Sequence, residues 1–543
     1  NKFNFWMFPI FSLIFYGVTI ASAWLSSRVR LASIGSLKLA TTTYLGLSAV
    51  LMIGLYLKLS STIFHPDEPG KIRQIYELLS SGVISRDYFL HPLMLIKSGA
   101  FFSSLITDDL TYEHISKTAR LPSLISYLFT GLLIYLTGKR LYNKESAWFA
   151  MTLWFSFLLP FVTGSAIKED MLLVSWIALN FYALIRYRSD TRFFNLVLVF
   201  VSAACAVSAK YTGLITVLYS CFFTAFFNLL NDGFNFRSLL KTVISVVFGL
   251  GFVALIFALV NGVWEYDLSR FVLGFQIESG RINMGHFSVF IHARDYVGLF
   301  YFFENFWRYE NFVPAFLAIL SIIIVWRNVT VEILVLLCLL FGYYVMAEYT
   351  SGKAFPQPHR YLLPCYVFLS IIAGRAVAET SLGRILLIFQ LVVSIYFKLG
   401  LALNIDTRQV SQLLVNAGMG NFERVAYFGY SFPLSRSENK TLLQIERSTE
   451  VLSREDFDKP VLIVWNSFYC ERFYRGRLRR VSWSRLVQCE VFKKAGVPIA
   501  KIGNSFLSKP FLEPEIEFRM IESYQQFVTV WNVALRFALL AQR

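Results

Sequence analysis

Two pairs of neighbouring carboxylates stand where an apolar setting makes charge costly. Asp67 and Glu68 close the run HPDE at 65–68, directly after a long hydrophobic stretch. Glu169 and Asp170 sit in a short polar turn between two further hydrophobic stretches. Ionised groups at a membrane edge are retained where they work or are paired. A carboxylate there can take the proton of an attacking hydroxyl or amine; a second can orient the acceptor or bind a metal. Cations complete the set: Arg360 opens a hydrophobic stretch in PQPHRYLLP, Lys210 lies in AKYTG and Arg120 in ARLP. Arg and Lys are what a phosphate leaving group requires, Arg through its rigid fork. His65, His91, His359 and Lys353 are substrate-binding candidates from polar segments. His286 and His292 are six residues apart in a loop, which is no metal-site signature.

Each residue also has a plainer reading. An acid at a membrane edge can cap a helix or pair with a basic neighbour, so Glu68 either works beside Asp67 or fixes its loop. Arg360 and Lys210 can reach lipid headgroups along their apolar stems. Lys353 can be a solvated loop lysine, and Tyr88 in RDYF reads as loop packing. Clustered carboxylates permit a divalent metal such as Mg or Mn, and no cofactor is otherwise indicated.

The elements that must position these groups are membrane-spanning helices. Of 543 residues, 56% are hydrophobic and 16% charged, and many apolar runs reach spanning length. The pattern predicts a polytopic all-α membrane protein of about twelve spans, near 4–26, 36–60, 117–137, 147–166, 171–187, 192–208, 211–229, 241–260, 310–326, 329–346, 361–378 and 384–402. The net charge of +16 is assigned to span flanks such as Arg28, Arg30, Lys139, Arg140, Arg186, Arg188 and Arg327, and not to nucleic-acid binding. Basic loops 27–35, 138–146, 186–191 and 230–240 and the Arg327 neighbourhood then share the cytoplasmic side, and both termini lie outside. The hairpins at 167–170 and 209–210 set the sidedness of everything downstream. Outer segments follow at 61–116, where short surface helices such as KIRQIYELL are expected, at 167–170, at 261–309, an aromatic-rich lid candidate, and at 347–360.

Residues 1–402 therefore form the membrane domain, and 403–543 change character. VAYFGY (425–430) and PVLIVW (460–465) read as buried strands of a small C-terminal α/β domain outside the membrane, followed by an amphipathic helix at 527–540. Cys470 and Cys489 lie there and could pair in an oxidising compartment. Cys205, Cys221, Cys338 and Cys365 read as packing residues. No P-loop, dinucleotide fingerprint or HExxH motif is present. An outward-facing site needs an activated substrate reachable from outside, and a lipid-carried sugar meets that demand.

In order and sidedness the motifs resemble GT-C membrane glycosyltransferases, in particular the protein O-mannosyltransferase and lipid A aminoarabinose transferase branch. The resemblance is carried by HPDE (65–68), RDYFLHPL (86–93), ARLPSLISYLFTGLLIYLTGKRLY (119–142), FVTGSAIKEDMLLVSWIALNFYALIRY (161–187), AKYTGL (209–214), HRYLLPCYVFL (359–369) and DTR (406–408). It covers roughly 60–410. It implies that Asp67, with Glu68 beside it, is the acceptor-contacting carboxylate. It places the second acidic position on Asp170, with Glu169 a competing match, and the donor phosphate at Arg360 and Lys210. It also implies inverting transfer from a polyprenyl-phosphate sugar, without a covalent enzyme intermediate. The chain departs from the pattern in having two spans before HPDE, and His91-Pro92-Leu93 where relatives carry two prolines.

The expected function is sugar transfer from a polyprenyl-phosphate donor to an envelope lipid, glycan or protein acceptor, at the outer face of a bacterial inner or plasma membrane. Membrane lipid is a partner and nucleic acid is not. The rivals are a lipid-linked oligosaccharide ligase or polymerase, a lipid-linked sugar transporter without transferase activity, and a noncatalytic membrane scaffold.

Overall fold

The structure, a computed structural model, describes residues 34–59, 68–106, 110–284, 289–290, 310, 313–326, 329–349 and 358–403, with short strands between 424 and 521. In chain order the helices are α1 (Ile34–Leu59), α2 (Glu68–Ser81), α3 (Met94–Ile106), α4 (Tyr112–Thr118), α5 (Leu121–Leu141), α6 (Lys144–Ser156), α7 (Leu158–Ser165), α8 (Glu169–Ser189), α9 (Phe193–Ala209), α10 (Leu214–Asp232), α11 (Phe236–Asn261), α12 (Val263–Tyr266), α13 (Leu268–Met284), α14 (Val313–Trp326), α15 (Val331–Tyr349), α16 (Leu363–Glu379) and α17 (Ser381–Leu403).

Helices occupy every expected span from 36–60 to 384–402; the span at 4–26 lies outside the described residues. Among the described residues seven helical stretches are long and apolar enough to cross a membrane, or eight if α6 and α7 form one. The span expected at 147–166 is made of two helices, α6 and α7, which meet at a 64° bend. The segment 61–116, expected outside, contains α2, α3 and the start of α4, and the described part of 261–309 begins with α12 and α13.

Local sequence sets the helix ends. Asn143 and Asn235 cap α6 and α11 by accepting from the Ser146 and Ser238 amides at 2.8 and 2.9 Å. Pro122 and Pro364 stand in the first turns of α5 and α16, where a missing N–H costs little. Gly262 closes α11 in the left-handed conformation (φ 66°), which a side chain would strain.

Helix α16 runs through the interior, with 83% of its most apolar window buried, whereas only 17% of that of α11 is buried. The exposed Leu239, Ile244, Val247 and Leu255 of α11 present the apolar surface that lipid contact demands. Phe157 meets Tyr366 edge-on at 4.9 Å in the core, and Tyr127 meets Phe155 at 5.1 Å. At one end of the bundle Lys38 pairs with Glu145 at 2.8 Å and Arg375 lies over the Tyr142 ring, so the starts of α1 and α6 and the end of α16 meet there. Cys205 and Cys365 are packed as expected, but Cys338 is exposed on α15.

Beyond α17 the described strands form a mixed sheet: β2 (Arg424–Tyr427), β3 (Thr441–Gln444), β4 (Val461–Asn466), β6 (Val497–Ile502) and β7 (Ile516–Ile521), in the order β3-β2-β4-β7-β6. β2 is parallel to β3 and β4, and β7 runs antiparallel to β4 and β6. β2 and β4 fall on VAYFGY and PVLIVW, and Val461 to Val464 are buried. A separate ribbon pairs β1 (Val289–Phe290) with β5 (Arg477–Leu478), joining the 261–309 segment to the C-terminal region. Cys470, Cys489 and the 527–540 segment lie outside the described residues.

Candidate active site

Three buried ionic groupings converge on the turn 165–170 between α7 and α8. Arg120, at the joint of α4 and α5, is fully buried. Its Nη1 and Nη2 donate to Glu68 Oε1 and Oε2, both at 2.9 Å. It also donates to Ser165 O at 3.2 Å, and Glu68 Oε1 accepts from the Ile167 amide at 3.0 Å. A buried pair must offset several kcal/mol of desolvation for each ion, and bidentate geometry with added backbone bonds is what makes that feasible. Both oxygens of Glu68 are thus engaged with Arg120.

Glu169 opens α8. Its Oε2 accepts from Lys71 Nζ, and its Oε1 lies 3.0 Å from His91 Nε2. Lys71 reaches back to Ile167 O at 3.3 Å. Asp170 Oδ1 accepts from Lys210 Nζ at 2.7 Å, whereas its buried Oδ2 has no hydrogen-bond partner among the described residues. Lys210 follows α9 and precedes a single 3-10 turn, Tyr211–Gly213. The Tyr361 ring lies 5.6 Å from Lys210 Nζ and 5.4 Å from the Arg360 guanidinium carbon.

Glu169 and Asp170 precede the apolar part of α8. Burial raises the pKa of Asp170, but Lys210 and Arg360 outweigh it and hold the carboxyl well below its usual range. His91, Lys71 and Lys168 do the same for Glu169. Both acids are ionised at neutral pH, in the first turn of a helix where the backbone dipole favours them. Among the described residues, five cations (Lys71, Arg120, Lys168, Lys210 and Arg360) accompany three carboxylates (Glu68, Glu169 and Asp170). The positive excess suits an anionic ligand.

The His91 loop is itself held. Tyr211 OH donates to Phe89 O at 2.9 Å and Phe271 O at 3.1 Å, and the Leu93 amide donates to Asn261 Oδ1 at 2.7 Å. Gly274 on α13 packs so close to Phe89 that a Cβ would collide with its carbonyl. In RDYF the packing residue is Phe89, buried against Tyr266 and Phe271 rings; Tyr88 is partly exposed.

The structure thus brings Glu68, Glu169, Asp170, His91, Lys210 and Arg360 to one end of the bundle. His359 belongs to the turn Pro358–Leu362. Asp67, His65, Lys353, His286, His292 and Asp406 to Arg408 lie outside the described residues. Sequence reading missed Lys71, although Glu68, Lys71, Ile72 and Ile75 follow the helical spacing of one buried face. It also missed Glu310 and Lys398, whose signal was simply charge within an apolar stretch. Among the described residues no three His, Cys, Asp or Glu side chains are grouped to hold a metal. The described carboxylates of the site, each matched to Arg or Lys, do not form the oxygen cage Mg or Mn would need.

Residues 100–264, from α3 into α12, match the family described as dolichyl-phosphate-mannose-protein mannosyltransferase. This stretch holds Arg120, Glu169, Asp170 and Lys210. The match covers under a third of the chain and is a similarity to the mannosyltransferase family that the motifs also resemble. Among solved structures, the chain is similar to ArnT from Cupriavidus metallidurans bound to undecaprenyl phosphate, at 13% identity, covering 88% of this chain and 98% of that one, with a TM-score of 0.49. It is also similar to the archaeal oligosaccharyltransferase AglB from Archaeoglobus fulgidus, in complex with an inhibitory peptide and a dolichol-phosphate, at 11% identity, covering 89% and 74%, with a TM-score of 0.46. No curated protein matches the sequence significantly.

Proposed function

We propose that this protein transfers a sugar from a polyprenyl-phosphate donor to an envelope lipid, glycan or protein acceptor on the extracytoplasmic face, with inversion. The observation that supports this reading is the pair of cations beside Asp170, buried Lys210 and half-buried Arg360, gathered about one tyrosine ring at the helix ends. Asp67 takes the acceptor proton as the acceptor oxygen or nitrogen attacks the anomeric carbon. The bond from that carbon to the phosphate oxygen breaks, and the polyprenyl phosphate leaves with the electron pair. Arg360 and Lys210 stabilise its charge. Asp170 fixes Lys210, Glu169 orients His91 toward substrate, and Glu68 holds the start of α2 through Arg120. In this reading residues 1–402, crossing twelve times, form the catalytic domain, and 403–543 form an extracytoplasmic α/β domain. A bacterial inner membrane with the site facing the periplasm is the setting.

Mass spectrometry of envelope glycans and lipid-linked sugars, in cells with wild-type or equally expressed Asp67→Asn protein, tests this. The expected result is loss of one sugar from a product while its lipid-linked donor accumulates. A general base contributes roughly 10²–10⁴-fold, so residual transfer should be small. Unchanged product and donor pools would reject the assignment of Asp67 and turn the reading toward transport or a scaffold. Products changed by several sugars at once would favour a ligase.

A further inference from the structure

Helix α7 is eight residues long and joins two buried polar networks. Its C-terminal end is at the site, where Ser165 O accepts from Arg120 at 3.2 Å and the Ile167 amide donates to Glu68 at 3.0 Å. Its N-terminal end follows Phe157, where the chain leaves α6 in an extended conformation (φ −71°, ψ 139°). Such a break releases carbonyls from one helix and amides from the next. In an apolar interior both sets need protein partners.

Both have them. Phe155 O accepts from Lys398 Nζ and from Tyr44 OH, the latter at 3.0 Å, and Ser156 O accepts from Gln390 Nε2 at 3.3 Å. On the other side Glu310, 3% exposed, accepts from the Leu158 and Leu159 amides at 2.9 and 2.7 Å. Pro160 offers no amide, so Glu310 engages the two that precede it. Tyr366 OH lies 3.4 Å from Glu310 Oε1.

We infer that Glu310 is a positioning residue for the candidate site: by holding the first amides of α7 it sets the place of the 165–170 turn, and with it Glu169 and Asp170. A carboxylate on a helix N-terminus joins charge-assisted hydrogen bonds to the helix dipole. An eight-residue helix is a stiff rod of about 12 Å. With Glu310 at one end and the Glu68–Arg120 pair at the other, its axial position is fixed. The catalytic consequence rests on the transferase reading above; the mechanical link does not.

Amide-resolved hydrogen exchange on the purified full chain, comparing wild type, Glu310→Gln and Glu310→Asp, separates the two. Gln turns an N–H donor toward an amide that needs an acceptor. Exchange at Leu158–Leu159 and also at 166–170 should quicken at least about tenfold in E310Q, with α16 unchanged and E310D intermediate. Acceleration confined to Leu158–Leu159 would overturn the inference. If E310Q also loses protection in α16, it has not folded, and E310D decides by the same comparison. A transfer assay is read alongside, with E310Q expected to lower kcat and, because Asp170 fixes Lys210, to raise the donor KM as well. A wild-type protein without transfer activity would refute the proposed function and leave the exchange result standing.

Discussion

The site and the α6–α7 break are both buried, charged and ringed by apolar side chains, yet they use charge differently. At the site, ion meets ion: Glu68 with Arg120, Glu169 with Lys71, Asp170 with Lys210. At the break, ion meets backbone and hydroxyl: Glu310 with two amides, Lys398 with Phe155 O, Tyr44 OH and Ser48 Oγ. Backbone partners are the ones a broken helix must supply in any case, so the break reads as satisfaction of freed peptide groups. Ion pairs are not required by the backbone. Replacing them with apolar residues is often neutral or stabilising in other proteins. Their presence at the site therefore argues for holding geometry and field.

The largest test of this contrast is Arg120→Met. It removes the bidentate partner of buried Glu68 and should lower unfolding stability by about 3–5 kcal/mol. Chemical or thermal unfolding in detergent measures it. The sharper version replaces the pair together. Glu68→Met/Arg120→Met should recover most of the stability while transfer stays lost, because the 165–170 turn loses its bonds to Glu68 and Arg120 and keeps its link to α2 through Lys71. A double variant with wild-type transfer would show that this pair positions nothing and would dissolve the distinction between the two regions.

Much of this contrast was legible in residue order, and some was not. Hydrophobic runs located the helices, because a spanning helix must bury its own backbone polarity and so needs an unbroken apolar stretch. The same rule concealed the break at Phe157. The run 147–166 carries no charge, so Pro160 was its one local sign of a break, and the residues that make the bend tolerable, Glu310, Gln390 and Lys398, lie far away in sequence. Glu169, Asp170 and Lys210 could be found because a short hairpin fixes what it carries. Glu68 resisted a single reading because its neighbour Asp67 has the same chemistry, and its partner Arg120 lies 52 residues away in sequence. The strands β3, β6 and β7 went unanticipated because their short runs, such as TLLQ, carry no period long enough to distinguish them.

Lys398→Met tests the other side of the contrast. Its partners are neutral, and Tyr44 OH still reaches Phe155 O, so the loss should be smaller than for Arg120→Met, about 1–3 kcal/mol. Transfer per folded molecule should fall only modestly, since Lys398 hydrogen-bonds to α6 and meets α7 through the Phe161 ring alone among its described contacts, 4.5 Å from its Nζ. A loss as large as that of Arg120→Met would mean that the break also depends on paired ions, and the contrast would need to be redrawn.

The smallest expected effect concerns what the cation excess is for. Tyr361 lies within cation–π distance of both Lys210 and Arg360. Such a contact is worth about 0.5–2 kcal/mol, so Tyr361→Leu should raise the donor KM by roughly two- to thirtyfold with kcat little changed. Tyr361→Phe keeps the ring and should behave as wild type. If Phe is as damaging as Leu, the hydroxyl is what matters and the ring does not hold the cations. If neither changes the donor KM, Lys210 and Arg360 do not meet the donor through this arrangement. The cation excess would then serve the three buried carboxylates alone, which would make the site another instance of what the break already does: charge placed to satisfy charge.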